Sequence, residues 1–263
     1  MHLLRTALYI LLLVIFAAED GRAQYRSGFA PSAPPSVLHP APSRWWIGPQ
    51  LGAGLNTHRG DFITDFCDCP FEDGSGVGFS AGIELGHFLS ENFAVALKAV
   101  FNDFRADYSY SIILPAYVEV EEGEDPELID VEHIRSNTVI LSYLMLNPVL
   151  QFFPFGGLYV SVGPGIGIST TATQEYALEF SDEFEIYVGD PERRVIERDS
   201  GELSDANGFR ADLRVGAGYN IRLARGFTFA PEVSYVYPLT RIGEEDNWFA
   251  ESFLLMGVFK FEL

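Results

Sequence analysis

The sequence predicts an all-β protein, an eight-stranded antiparallel up-and-down transmembrane β-barrel. Three observations lead to this prediction. Apolar and polar residues alternate with a period of two in eight segments, which is the pattern of strands with one apolar face. After the amino-terminal apolar run, no stretch is long enough for a spanning helix. The links between the segments are short and long in alternation, as in barrels whose two rims differ.

The eight segments continue to the end of the chain, and the core of each is near or above the ~9–11 residues with which a tilted strand crosses a bilayer. The last segment is the clearest. It carries Phe253, Leu255 and Phe259 on one face, and Ser252 and Lys260 on the other. The predicted strands are 45–56, 77–89, 93–108, 138–153, 158–170, 208–223, 227–239 and 248–263.

The links predict how the barrel is oriented. Residues 90–92, 154–157 and 224–226 form tight turns, whereas the links near 57–76, 109–137, 171–207 and 240–247 are longer. In outer-membrane barrels the short turns are periplasmic and the long loops external, and an even strand count puts both chain ends on the periplasmic side. We therefore expect a bacterial outer-membrane location with both termini in the periplasm.

The residues before the barrel divide into two segments. In 1–23, Arg5 precedes an apolar run, and Gly21 and Ala23 supply small residues for cleavage, so this segment predicts a secretory signal peptide. A transmembrane anchor is the alternative, but the run is shorter than the ~20 residues of a spanning helix. Residues 24–44 predict a Pro-rich periplasmic tail, and residues 45–263 the barrel.

The charge balance limits the possible partners. Lys and Arg number 17 against 37 Asp and Glu, a net charge of -20, so we expect no nucleic-acid binding. A soluble calycin-like barrel is the structural alternative, but it would place its apolar face inward around a ligand. Here the opposite face carries mainly Gly, Ser, Asn and charges. This composition and the unequal links favour the membrane barrel.

Charged residues of both signs fall on the inward positions. An eight-stranded barrel has a lumen only just wide enough for side chains, and an isolated buried charge costs several kcal/mol, so these charges must pair. We predict a lumen ionic network that plugs the barrel, with a gated ion path as the alternative. Its members are Glu84, Lys98, Arg210, Asp212, Arg214, Glu232, Lys260 and Glu262, and Asn147 and Gln151 also face inward.

Much of the negative charge falls in the predicted external loops, at 119–127 and 182–192. One interpretation is a site for Ca²⁺ or a cationic partner, although the spacing is not that of a Ca²⁺ loop. The other is a solvated acidic surface. Cys67 and Cys69 lie in the first long link and predict a local disulfide in an oxidising compartment, with free thiols or metal binding as alternatives. The sequence assigns no metal site.

The histidines after the signal segment do not indicate catalysis. His39, His58, His87 and His133 have no Ser or Asp partner in a recognisable pattern, and we interpret all four as surface residues. We predict that the protein is not an enzyme and needs no cofactor.

Two motifs resemble known outer-membrane proteins. Residues 259–263, Phe-Lys-Phe-Glu-Leu, resemble the terminal strand that the barrel-insertion machinery recognises. Residues 143–153 and 158–165 resemble the fourth and fifth strands of PorT-like, OmpA-like outer-membrane β-barrel domains of the Bacteroidetes type, and the resemblance covers about 45–263. It implies the barrel fold, with outer-membrane lipid and the insertion machinery as partners, and no shared catalytic residues.

The sequence does not determine the activity of the protein. We predict a structural or interaction role, such as envelope integrity, adhesion or an accessory subunit of a secretion or surface-protein complex, with other envelope proteins as partners. A small-solute or ion channel and a lipid-active enzyme are the alternatives.

Overall fold

The computed structural model describes residues 45–60, 62–63, 70–118, 127–181, 195–243 and 247–263. No helix in these stretches is long and apolar enough to cross a membrane. The strands are β1 (Trp45–Arg59), β2 (Phe62–Ile63), β3 (Pro70–Phe71), β4 (Gly74–Phe88), β5 (Phe93–Asp103), β6 (Ala106–Val118), β7 (Glu127–Phe155), β8 (Leu158–Phe180), β9 (Val195–Glu202), β10 (Phe209–Tyr219), β11 (Ile221–Ala224), β12 (Phe227–Pro238) and β13 (Phe249–Glu262).

The strands close into an antiparallel ring of eight, which confirms the predicted up-and-down β-barrel fold. The order around the ring is β1, β4, β5, β7, β8, β10, β12 and β13, and β13 pairs back onto β1. At two ring positions the strand is interrupted. β6 follows β5 after a short break, and β10 is preceded by β9 and followed by β11. The short pair β2–β3 forms a separate sheet that is not hydrogen-bonded into the ring among the described residues.

The ring is staggered as well as closed. Following paired residues once around it from Phe227 on β12 leads back to Tyr237 on the same strand. A stagger of this kind tilts the strands against the barrel axis. Closure leaves the ring strands without a free edge, so their backbone groups are paired with one another.

The two rims of the ring differ. At the turn rim, the links after β4, β7 and β11 are short, and Gly156 (φ 55°) and Gly226 (φ 75°) adopt the left-handed conformation that tight turns require. The Leu263 amide donates to the Trp45 carbonyl at 3.0 Å, so the start of β1 and the end of β13 lie at this rim. The opposite rim, which we call the link rim, carries the longer links.

The alternation in sequence becomes a buried inner face and an exposed apolar outer face. Along β13, Ala250, Ser252 and Leu254 are buried, whereas Leu255 is 60% exposed. Every ring position contributes large exposed apolar side chains, and we call this surface the apolar belt. Its members include Leu51, Ile83, Leu97, Leu146, Val162, Val215, Tyr237 and Leu255.

Aromatic side chains border the belt at the turn rim. Phe93 packs on Phe152 with ring centroids 5.0 Å apart, and Phe227 packs on Phe261 at 4.9 Å. Trp45, at the same rim, lies 4.3 Å from the His87 ring.

The prediction that 109–137 and 171–207 are loops is wrong for much of both ranges. β6, residues 127–137 of β7, residues 171–180 of β8, and β9 form a four-stranded antiparallel sheet beyond the link rim. We call this sheet the extension. Its Ser, Thr and acidic residues do not give the apolar alternation of a belt strand, but backbone pairing with neighbouring strands sustains the sheet.

Candidate functional site

Four charged side chains meet in the half of the lumen nearer the turn rim. Lys98 Nζ donates to both carboxylate oxygens of Glu232, at 2.6 and 2.8 Å, and lies 3.4 Å from Glu84 Oε2. Lys260 Nζ lies 3.6 Å from Glu84 Oε1. We call Glu84, Lys98, Glu232 and Lys260 the ionic layer. All four are at most 5% exposed, and their charges balance.

The ionic layer crosses the lumen. Lys98 is on β5 and Glu232 on β12, which stand on opposite sides of the ring, so their ion pair ties opposite walls together. Neutral side chains supply further bonds: Trp46 Nε1 donates to Glu84 at 2.7 Å, and the Tyr159 hydroxyl donates to Glu232 at 2.8 Å. Lys260 Nζ also donates to Asn220 Oδ1, at 3.2 Å.

Glycines on the walls leave room for the aromatic groups of this layer. A Cβ atom at Gly86 would collide with the Trp46 indole, and one at Gly218 would collide with the Tyr159 ring. These inward glycines therefore admit side chains that bridge the lumen.

A second charged pair lies nearer the link rim. Arg210 Nε donates to Asp212 Oδ2 at 3.4 Å, and its Nη2 donates to the Ala250 carbonyl at 2.8 Å. The guanidinium carbon lies 4.0 Å from the centroid of the Phe104 ring, a cation–π contact. Among the described residues, no ion pair connects Arg210 or Asp212 to the ionic layer.

The other predicted lumen residues behave differently. Arg214, Asn147 and Gln151 are buried, but within the described stretches their side-chain nitrogen and oxygen atoms have no hydrogen-bond partner. The prediction that Glu262 belongs to the lumen network is wrong. Glu262 ends β13 at the turn rim, where it is exposed and pairs with the still more exposed Arg222 at 3.4 Å.

An aromatic layer fills the lumen at the link rim, and no pattern in the sequence predicted it. Its members are His58, Phe62, Phe104, Tyr108, Tyr143 and Trp248, all at most 2% exposed. Phe62 stacks on Trp248 with centroids 4.4 Å apart, and His58 meets both Tyr108 and Trp248 edge-on.

Hydrogen bonds fix the tautomer of His58. Its Nε2 lies 2.9 Å from the Phe104 carbonyl oxygen, which can only accept, so Nε2 carries the proton. Nδ1 then accepts from the Tyr108 hydroxyl at 2.7 Å, and Trp248 Nε1 donates to that hydroxyl at 2.9 Å. Each polar group in this series of hydrogen bonds therefore has a partner, and His58 is held neutral.

The interpretation of the histidines as surface residues is wrong for two of them. His58 is 0% and His133 is 3% exposed. His58 has the even-numbered parity of the inward β1 positions, and that parity was the available signal. His133 lies in the extension, where Nδ1 is 2.8 Å from the Val131 carbonyl oxygen. His87 is partly buried, and His39 lies outside the described residues.

The extension carries a mixed polar surface. Arg135 Nη1 donates to the Tyr110 hydroxyl at 3.1 Å, and this bond raises the pKa of the guanidinium above its ordinary value. Exposed carboxylates stand on its other face, among them Asp107, Asp130, Glu175 and Glu202.

Several predicted features fall outside the described residues: Cys67, Cys69, and the acidic stretches 119–126 and 182–192. Their disulfide and cation-binding interpretations remain predictions. In the part of the chain that the structure describes, no cluster of three His, Cys, Asp or Glu side chains could hold a metal ion.

No protein-family model and no curated protein matches this chain. Among solved structures it is similar to AlkL, an outer membrane protein, at 13% identity and a TM-score of 0.38 over 89% of this chain and 98% of that chain. Ail, the attachment invasion locus protein of Yersinia pestis, matches at 11% identity and a TM-score of 0.30, covering 83% and 99%. The Escherichia coli outer membrane protease OmpT matches at 9% identity and a TM-score of 0.35, covering 87% and 100%.

These TM-scores are low, so the architecture of the chain rests on its own strand pairings, and its function on its own side chains. The resemblance to PorT-like barrels remains a prediction.

Proposed function

We propose that this protein is an integral barrel of the bacterial outer membrane whose lumen is closed and whose role is to bind other envelope or surface molecules. The observation that carries the proposal is the Lys98–Glu232 ion pair of 2.6 Å between opposite walls. A wide open pore is incompatible with a hydrogen-bonded layer across the lumen.

The apolar belt supports the membrane location. Its outward positions on β1 extend from Trp45 to Leu55, which matches the ~9–11 residues of a tilted spanning strand. Leu51 is 63% and Val77 64% exposed. In water such a continuous apolar surface would cause aggregation, whereas in lipid it is the stable arrangement.

Two different layers support closure. The ionic layer crosses the lumen toward the turn rim, and the aromatic layer fills it toward the link rim. Both are buried and bonded within the protein. A small-solute channel would require at least one side chain of each layer to move aside.

The extension supports an interaction role. Within the described stretches, β9 pairs only with β8, and β6 beyond Asp107 pairs only with β7, so both outer strands have an unpaired edge. Unpaired edges are templates for strand addition by a partner. Beside β6 lies a cavity of about 450 Å³ lined by Phe71, Glu72, Asp73 and Tyr110, among others, which combines aromatic surface with negative charge.

Conductance tests the closed lumen. The purified protein, after a gel shift has shown its folded heat-sensitive form, is reconstituted in planar bilayers. We expect no conductance steps from the wild type. Steady steps in the wild type, abolished by a bulkier lumen side chain such as Ser234→Phe, would replace the proposal with the channel.

Cross-linking in cells tests the interaction role and the orientation. A photo-reactive residue at Ile113, which is 69% exposed on the extension, should give discrete protein adducts on the external side of the membrane. The same residue at Leu97 in the belt is the matched control and should give lipid adducts alone. Adducts with periplasmic proteins from Ile113 would reverse the orientation, and no protein adducts would remove the support for an interaction role.

A further inference from the structure

Arg214 is the one buried charged side chain of the described lumen that makes neither a hydrogen bond nor an ion pair. It is 1% exposed, and among the described residues Nε, Nη1 and Nη2 all lack an acceptor. A guanidinium cannot be deprotonated in a protein, so it cannot escape the cost of burial by losing its charge. We propose that Arg214 holds a small inorganic anion, chloride or another halide, between the two layers of the lumen.

Small residues occupy several inward positions on the wall beside Arg214. Arg214 pairs directly with Gly163 on β8, and the diagonal position on that strand is Gly165. The next inward position on β10 is Gly216, which pairs with Ser234 on β12. At these positions the wall carries a small side chain or none, and the residue that pairs directly with Arg214 on β12 is Val236.

Further donors lie close to Arg214 in the strand register. Ser234 Oγ and Gln151 Nε2 are buried and have no hydrogen-bond partner among the described residues. Ser234 pairs with Gly216, and Gln151 pairs with Ser161, which pairs with Gly216 from β8. An anion at Arg214 would therefore lie in a lumen region that offers hydroxyl and amide donors as well as a guanidinium.

Asp212 is the carboxylate that competes with an inorganic anion for binding to Arg214. Its Oδ2 is bonded to Arg210, and its Oδ1 lies over Gly165 beside the Asn147 amide, because a Cβ atom at Gly165 would collide with both groups. The oxygen and nitrogen of an Asn side chain are assigned from their hydrogen bonds. With the Asn147 amide rotated by 180°, its NH₂ group would point toward Asp212. Arg210 therefore binds one oxygen of Asp212, whereas Oδ1 has no hydrogen-bond partner among the described residues. Glu232, the other nearby carboxylate, is bonded to Lys98 and Tyr159.

The charge count gives the sign of the ligand. The buried charged side chains of the ring are Lys98, Lys260, Arg210 and Arg214 on the positive side, and Glu84, Asp212 and Glu232 on the negative side. The ionic layer balances internally and Arg210 pairs with Asp212, so Arg214 is the surplus positive charge. A single monovalent anion neutralises it. The layers on both sides exclude large organic anions.

Bromide reports the site directly. The protein is folded into detergent in sodium bromide and crystallised, and the anomalous signal of bromine locates the ion. We expect a bromide within hydrogen-bonding distance of the Arg214 guanidinium. A guanidinium bonded to the Asp212 carboxylate, or surrounded by water only, would overturn the proposal.

Stability in different anions gives a second readout. The midpoint of the folded-to-unfolded gel shift should be higher in bromide than in gluconate at equal ionic strength, by at least about 2 °C, because a ligand that binds only the folded state stabilises it. Arg214→Met should lose this difference, and Arg222→Met, at the exposed turn rim, should keep it. An equal anion dependence in both variants would contradict the proposal. If Arg214→Met does not fold, the bromide position in the wild type decides alone.

Discussion

The two ends of the lumen are closed by different chemistry. Toward the turn rim, the ionic layer is made of four charged groups from four strands, each bonded to an opposite charge. Toward the link rim, the aromatic layer is made of packed rings and one chain of neutral hydrogen bonds through His58. The same barrel wall therefore supports two kinds of closure.

The two layers differ in how far each side chain depends on its partners. A charge in the ionic layer is stable only while its counter-charge is present, because an uncompensated buried ion costs far more than a lost contact. A ring in the aromatic layer is stabilised mainly by burial and packing, which the neighbouring rings share. We therefore expect single substitutions to be most harmful in the ionic layer.

The largest effect is expected at Lys98. Lys98→Met should cost about 3–5 kcal/mol of unfolding free energy, because Glu232 and Glu84 lose a buried counter-charge. Urea titration of the folded gel band in lipid vesicles measures this loss.

The double variant Lys98→Met/Glu232→Met is the control for Lys98. It removes both charges of the cross-lumen pair, and it should recover most of the lost stability. A double variant as unstable as the sum of the two single variants would show that the pair is stabilising by itself, and would weaken the comparison.

The next largest effect is expected at Leu97, which precedes Lys98 on β5 and whose side chain faces outward. Leu97→Arg should cost about 2–4 kcal/mol, because an arginine would stand in the apolar belt. Folding yield and urea stability in lipid vesicles measure it. Ser234→Asn, in the lumen beside Gly216, should be mild in the same assay. Equal losses for both variants would contradict the assigned inner and outer faces.

A smaller effect is expected in the aromatic layer. Trp248→Phe keeps a stacked ring but removes the donor to the Tyr108 hydroxyl, and it should cost about 0.5–1.5 kcal/mol. Tyr237→Phe, on the exposed outer face, is a matched aromatic control and should change stability less. If Trp248→Phe costs as much as Lys98→Met, the two layers do not differ as proposed.

The smallest effect is expected at the exposed ion pair of the turn rim. Arg222→Gln removes the partner of Glu262 and should change the unfolding free energy by about 0–1 kcal/mol, because solvent screens both groups. Urea titration at low and high salt checks it. A loss comparable to that of Lys98→Met would mean that Glu262 takes part in the lumen network after all.

The sequence predicted the ring well because its pattern is local. Eight alternating segments and three tight links correspond to the eight ring positions and to the turn rim. The same parity placed Glu84, Lys98, Glu232 and Lys260 on the inward face. It could not place Glu262 correctly, because parity does not show where a strand leaves the ring.

The extension and the aromatic layer were harder to predict. Polar strands beyond the link rim have no apolar face to give a period, and backbone pairing between segments distant in sequence sustains them. The aromatic layer combines Phe62 from a predicted link with Tyr108 and Trp248 from the ends of predicted strands. These residues are far apart in sequence, and only the closed ring brings their side chains together.

The number of ring strands, the facing of each belt residue and the types of residue that enter the lumen follow from the sequence alone, because all three express a period of two along single strands. Which charged side chains pair depends on the tertiary structure, because ring closure and stagger bring partners such as Lys98 and Glu232 together. It also left Arg214 without a protein acceptor among the described residues. No pattern along one strand determines contacts across the lumen.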